Sequence, residues 1–216
     1  MDTVWILGDQ LNRRSASLVG RSPDNTRVLM IESRANIAAK HYHRQRLHLV
    51  LTAMRRFAAE MTKSGYQVDY VTAPDFRAGL AEHRHRYRPD RVLLMEPMSF
   101  RLKANLDGLH VDEIRSNQFL CHYTDFAAWA DGRKRLVMED FYRWQRRRLG
   151  YLMDGDQPAG GTWNLDVDNR EPPPRDGRSW PEPVRSRLDE VDREVIASLP
   201  THAEGSPPDG VWATSR

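Results

Sequence analysis

Trp5-Ile6-Leu7-Gly8-Asp9-Gln10-Leu11-Asn12 decides the reading of this chain, because an uninterrupted apolar run passes straight into a Gly-Asp-Gln turn. A short apolar run bounded by turn-forming residues suits a central parallel strand, buried on both faces. In an open α/β sheet, ligands lie outside the carboxyl ends of the strands, so the first such turn is a natural small-molecule site. Gly8 allows close backbone approach, and Asp9 and Gln10 can hydrogen-bond a polar ring.

Outward from this turn, residues 3–7 and 27–31 read as two strands, with a polar loop over 12–25 between them. From residue 37 to 63 the apolar side chains Leu47, Val50, Leu51, Met54, Phe57, Ala58 and Met61 recur at helical spacing, and Gly65 follows as a stop signal. This predicts one long amphipathic helix. A strand over 68–72, a helix over 75–87, a very apolar strand over 91–95, a short helix from the cap Ser99 to Leu106 and a weaker strand over 111–115 complete the alternation. Such alternation implies right-handed crossovers, so the expectation is a Rossmann-like α/β domain to about residue 120: a parallel five-stranded sheet with helices on both faces.

The character then changes. Residues 124–130 and 138–153 read as helices, and a glycine- and proline-rich stretch with little regular structure follows. Helical spacing returns over 181–199 through Val184, Leu188, Val191, Val195 and Leu199. Residues 121–200 are therefore expected to form a helical and irregular extension of interdomain type, and 201–216 a linker or frayed tail.

Composition narrows the classes. With 216 residues, 39% of them hydrophobic, the chain can bury one substantial core and reads as soluble and globular. Neither a membrane-spanning run nor a signal peptide is evident, so the expected location is cytoplasmic, with no membrane partner. The net charge of +3 is too small to argue for nucleic acid by itself. A single cysteine, Cys121, excludes an internal disulfide and a four-thiolate cluster built by this chain alone; it reads as a buried structural thiol. Phosphate-cradling glycine loops and a nucleophile elbow are absent from the sequence, and no catalytic residue is assigned.

Two histidine pairs, His41 with His43 and His83 with His85, fall on predicted helices, where positions two apart face away from each other. They read as solvated helix faces, and no metal site is expected. The run Arg143-Trp144-Gln145-Arg146-Arg147-Arg148 reads as an exposed helix face with Trp144 turned inward, the alternative being contact with phosphates or an acidic surface. Glu32, closing the second strand, should lie beside the first-strand turn. Its alternatives are a ligand contact, a helix cap or a salt bridge with Arg34.

Three stretches then point to one family. Trp-Ile-Leu-Gly-Asp-Gln-Leu at 5–11, Met-Glu-Asp-Phe-Tyr-Arg at 138–143 and Gly-Gly-Thr-Trp-Asn-Leu-Asp-Val-Asp-Asn-Arg at 160–170 resemble, in order, signatures of the deoxyribodipyrimidine photolyase-related proteins, the iron–sulfur bacterial cryptochromes or prokaryotic (6-4) photolyases. The resemblance covers most of residues 3–200. It implies an N-terminal antenna domain holding a light-harvesting pigment, typically 6,7-dimethyl-8-ribityllumazine. FAD, a 4Fe–4S cluster and damaged DNA would belong to a C-terminal helical domain that this chain does not resemble. Carried over, the pigment pocket falls on Leu7, Gly8, Asp9, Gln10 and Glu32. Catalysis would then require a separate flavin-binding helical domain or protein as partner, and DNA would be reached only through the full-length family. The alternative is a pigment-free module that docks such a flavin domain or nucleic acid through Arg143 to Arg148 and the 160–170 loop.

Overall fold

β1 (Asp2–Trp5) and β2 (Thr26–Ser33) pair in parallel, with Val4 opposite Val28 and Trp5 opposite Leu29. The computed structural model describes every residue except 167–171, 173, 180, 183–184, 211–213 and 215–216. β3 (Gln67–Ala73) joins the outer side of β2, while β4 (Val92–Met95) and then β5 (Asp112–Ile114) extend the sheet beyond β1. The order β3-β2-β1-β4-β5, all parallel, is that of a Rossmann-like α/β domain. The direction of winding reverses between β1 and β4, which opens a crevice at the carboxyl edge.

Side-chain alternation along β1 feeds two cores. Val4 and Ile6 point to the face that packs with Met54, Phe57 and Met61 of α2 (Arg44–Lys63). Trp5 and Leu7 point to the opposite face, with Leu80 of α3 (Phe76–Tyr87) and Leu106 of α4 (Phe100–Leu106). Each large aliphatic side chain so buried contributes about 1.5–3 kcal/mol. On this second face α3 lies close against the sheet because Gly79 has no side chain. A Cβ there would stand 2.8 Å from Ile31 Cγ2 and 3.1 Å from Ala73 Cβ.

The helix expected over 37–63 is two helices, α1 (Arg34–Ala38) and α2, separated by a short break. Apolar periodicity cannot register this break, because its cause lies far along the chain. The backbone N–H of Arg44 donates to the Glu204 carbonyl, and the Arg44 guanidinium to the Ala203 carbonyl. His43 caps α2 by accepting from the Gln45 N–H. Where a frayed tail from 201 was expected, these contacts hold Ala203, which is buried, and Glu204 against the fold; residues 211–213 and 215–216 of that stretch lie outside the described residues. α7 (Glu190–Ser198) begins nine residues later than the helical spacing from 181 suggested, at the Asp189–Asp192 capping box; Val184 lies outside the described residues. Val195 of α7 enters the core of the α2 face.

By its contacts the chain forms two compact units, residues 1–118 with 183–216, and residues 119–182. This differs from the expected division at 120 and 200, since α7 and the segment after it belong to the first unit. In the second unit, α5 (Tyr123–Ala130) and α6 (Met138–Leu149) share an aromatic cluster of Phe126, Trp129, Phe141 and Trp144, with ring centroids 5.1–6.1 Å apart. α6 stops at Leu149 instead of running to 153, because Gly150 takes the left-handed conformation that ends a helix. A two-stranded hairpin, β6 (Met153–Asp154) with β7 (Gln157–Pro158), follows.

His83 departs from its expected solvated position. It is 0% exposed, and its Nδ1 and Nε2 lie 2.6 Å from Asp69 Oδ2 and 2.9 Å from Thr3 Oγ1, so it straps α3 to β3 and β1. Burial holds the imidazole below its ordinary range, against the raising effect of Asp69; Arg27 and Arg86 also lower it. The unfolded chain takes up this proton near pH 6.5 and the folded chain resists it. The contribution of His83 is therefore complete above that pH and is lost as the pH falls below it. Urea midpoints should decline from pH 7.5 to 5.5, and H83Q should flatten that part of the profile. An unchanged slope in H83Q would assign the decline to other groups.

Candidate functional site

The carboxyl edge of the sheet carries a cavity of about 380 Å³. β1 delivers Leu7, Gly8 and Asp9 to its wall, and β2 delivers Ile31, Glu32 and Ser33. The first turns of α2 add Arg46, Leu47 and Val50, with Met54 beyond them, and Phe76 closes the side next to β3. The break between α1 and α2 supplies Lys40 and Tyr42, while Ser99, Arg101 and Leu102 approach from α4. The lining thus combines an apolar slot with a few polar groups, the usual make-up of a small-molecule site, and the volume falls within the typical range.

Gly8 is required where it stands. A Cβ at this position would meet Met54 Sδ at 2.9 Å and Val50 Cγ1 at 3.3 Å, so the missing side chain is what lets α2 close against the first-strand turn.

Glu32 is 5% exposed and fully engaged. Arg55 of α2 donates to both carboxylate oxygens, Nε to Oε1 at 3.0 Å and Nη2 to Oε2 at 3.3 Å, and the Tyr70 hydroxyl of β3 donates to Oε1. Hydrogen bonding to Glu32 raises the Arg55 guanidinium. Burial, reinforced by the neighbouring carboxylate, pushes the Tyr70 phenol well above its ordinary range. The partner is therefore Arg55 and not Arg34, and the helix cap expected of Glu32 is supplied by Ser33, which accepts from the Asn36 N–H. Within this triangle the carboxylate is held in place beside the cavity.

Four of the five residues expected at the pocket line it: Leu7, Gly8, Asp9 and Glu32. Gln10 does not. It is 1% exposed, and its amide donates to the carbonyls of Met95 at 2.8 Å and Glu96 at 3.3 Å. It fastens the first-strand turn to the end of β4. Gln118 completes this fastening by donating to the Asp9 carbonyl at 2.6 Å. The contributions of Arg55, Tyr70 and Gln118 lack a local motif, although a buried glutamate does announce the need for a cationic partner.

The other candidates resolve differently. In the arginine run the buried member is Arg146, which donates to the carbonyls of Tyr151, Leu152 and Trp163. Arg143, Arg146 and Arg147 stack over the Trp163 ring at 5.5, 5.3 and 4.8 Å, and Arg148 donates to the Leu120 carbonyl. Arg146 is thus drawn into its own unit, while Arg147 and Arg148 remain exposed as the run suggested. The Gly-Gly-Thr-Trp motif is thereby tied to α6 through Trp163, whereas its residues 167–170 lie outside the described residues. Cys121 is half-buried and not fully buried as expected. Among the described residues, no group of three His, Cys, Asp or Glu is arranged to hold a metal ion, and no helix is long and apolar enough to cross a membrane.

An open, doubly wound parallel sheet with a mixed-polarity cavity at its carboxyl edge places the chain among the Rossmann-like α/β domains. Comparison with known proteins makes this specific. The model of the deoxyribodipyrimidine photo-lyase-related proteins matches residues 4–208, and the chain belongs to that family. It is 35% identical over 208 residues to a (6-4) photolyase of Agrobacterium fabrum, an alignment covering 91% of this chain and 41% of the relative. The chain thus spans about two-fifths of the length of the curated relative it matches.

Proposed function

We propose that the cavity at the ends of β1 and β2 is a chromophore pocket and that the chain acts as the antenna-type part of a photolyase-related protein. The observation that carries this reading is the coincidence of the family's first-strand motif, Leu7-Gly8-Asp9, with the wall of a ligand-sized cavity. The residues present suit a fused, polar-edged heterocycle such as 6,7-dimethyl-8-ribityllumazine. Leu7, Ile31, Val50 and Met54 offer apolar surface, and Asp9, Ser33, Asn36 and Tyr42 offer hydrogen-bonding groups. When bound, such a pigment would absorb blue or near-ultraviolet light and pass the excitation by resonance to a flavin elsewhere in the assembled protein. The chain's own task is to bind the ring, shield it from water and fix its orientation. The Gln10 and Gln118 fastenings and the Glu32–Arg55–Tyr70 triangle support that rigidity.

The residues of this chain do not suit a 4Fe–4S cluster, since Cys121 is its one cysteine. Repair of photoproducts, with its FAD and its DNA, therefore belongs to this proposal only at the level of the assembled protein. Titrating the chain with 6,7-dimethyl-8-ribityllumazine should give saturable, one-to-one binding with raised fluorescence polarisation. Val50→Trp, which fills the cavity, should abolish it. No binding to the unsubstituted chain would overturn the reading.

A further inference from the structure

Residues 119–182 form a unit that its own side chains leave poorly covered. Among the described residues it holds nine of the thirteen large hydrophobic side chains that stand exposed in this chain, and it buries only Trp129, Arg146 and Pro158. A unit of this size ordinarily hides more than half of the surface its unfolded chain would show. A helical hairpin such as α5–α6 closes one ridge of each helix and needs a further layer to cover the rest.

The exposed groups fall into a line. Tyr123 and Phe126, three apart on α5, share a face. Leu120 precedes them, its carbonyl fastened to Arg148 of α6 at 2.6 Å. The Phe126 ring meets the Phe141 ring at 5.4 Å, and Phe141 lies one turn after the exposed Met138. Uncharged apolar and aromatic groups thus cross the hairpin from Leu120 to Met138. Aromatic and methionine side chains make the centres of protein–protein interfaces, whereas a nucleic-acid surface needs surplus cations. The cations nearby are engaged: Arg148 pairs with Asp125 at 3.6 Å, and Arg143, Arg146 and Arg147 gather over the Trp163 ring.

We propose that this line is the docking surface for the larger part of a photolyase-related protein, the part that this chain does not match, and that it receives an apolar face of that part. The alignment with the curated relative covers 41% of its length, so most of that protein lies outside what this chain resembles and is available to supply the missing layer. Docking runs through the apolar line and not through the arginine run. The proposal rests on the family assignment and is independent of what the cavity binds.

Fusing this chain to the part of the Agrobacterium fabrum relative outside the alignment tests the assignment. In the fusion both parts should unfold in one calorimetric transition, and the fluorescence that an anilinonaphthalene sulfonate dye gains on the chain alone should be largely lost. The L120S/Y123S/M138S variant should split that transition in two. These side chains are 55–79% exposed, so the same substitutions should leave the thermal midpoint of the chain alone unchanged. Two transitions in the unsubstituted fusion, a remainder that stays unfolded beside this chain, or a single transition that survives the triple substitution would overturn the proposal. So would a chain that sediments alone as a dimer which the substitutions dissolve, since the surface would then serve a second copy, or binding to duplex DNA that the substitutions abolish. Ribityllumazine titration of the chain reads the cavity separately.

Discussion

Glu32→Ala should destabilise the first unit by about 3–5 kcal/mol and abolish chromophore binding, because it strands a guanidinium and a phenol beside the cavity. Arg55 has three-quarters of its side chain covered and gives two of its donors to this carboxylate. Losing the charge partner is costlier than never having had the pair. Glu32→Gln keeps the shape and an acceptor for Tyr70 but not the charge, and should fall between. Replacing Arg55 by methionine together with Glu32→Leu should recover much of the stability and none of the ordered polar wall. Urea unfolding monitors the first effect and ribityllumazine titration the second. A Glu32→Ala chain that binds normally would show that the triangle has no part in shaping the pocket.

Asp192→Ala should cost a comparable amount, about 3–5 kcal/mol, for a different reason. This carboxylate is 1% exposed and gathers four donors: His48 at 3.0 Å, Arg56 at 3.0 Å, the Thr214 hydroxyl at 2.8 Å and the Asp189 backbone N–H at 3.0 Å. It is at once half of the α7 capping box and the anion between two side chains of α2. Its neighbour Asp189, on the exposed rim, is held down to about 2 chiefly by the Arg56 hydrogen bond, so that contact persists above pH ~4 and fades as the pH falls toward 2. Since the same helix presents Arg46, Leu47, Val50 and Met54 to the cavity, loosening α7 should also weaken ribityllumazine binding. Thermal unfolding and the titration check the two effects, and normal values for both would refute the proposed clamp.

The sheet was legible because its central strands are short, apolar and separated by helical spacing, and Ile6 and Leu7 announce the turn by running directly into Gly8. Of the five residues expected at the pocket, the four that line it sit at strand ends and a turn, which neighbouring side chains encode. What escaped was everything set by distant partners. Gln10 has the right chemistry for a ligand, but the carbonyls it meets are those of Met95 and Glu96, about 85 residues on. His83 sits in an arginine-rich helix, and its burial follows from Thr3 and Asp69. Glu204, 160 residues from Arg44, helps set where α2 begins. Arg146 escaped for the same reason, since a basic run gives no sign of the distant Trp163 carbonyl that one of its members meets.

The division of the first unit across two stretches of sequence bears on how the chain acquires its structure. β1 lies between β2 and β4, so its four residues gain their second hydrogen-bonded neighbour only after about ninety more have been synthesised. Val195 and Asp192 come a hundred residues later still. Residues 119–182 thus leave the ribosome before the unit that precedes them can be completed, and can condense around their aromatic cluster first. Until α7 arrives, the part of the α2-side core that receives Val195 remains unsealed, the stage at which a nascent chain is most exposed to aggregation.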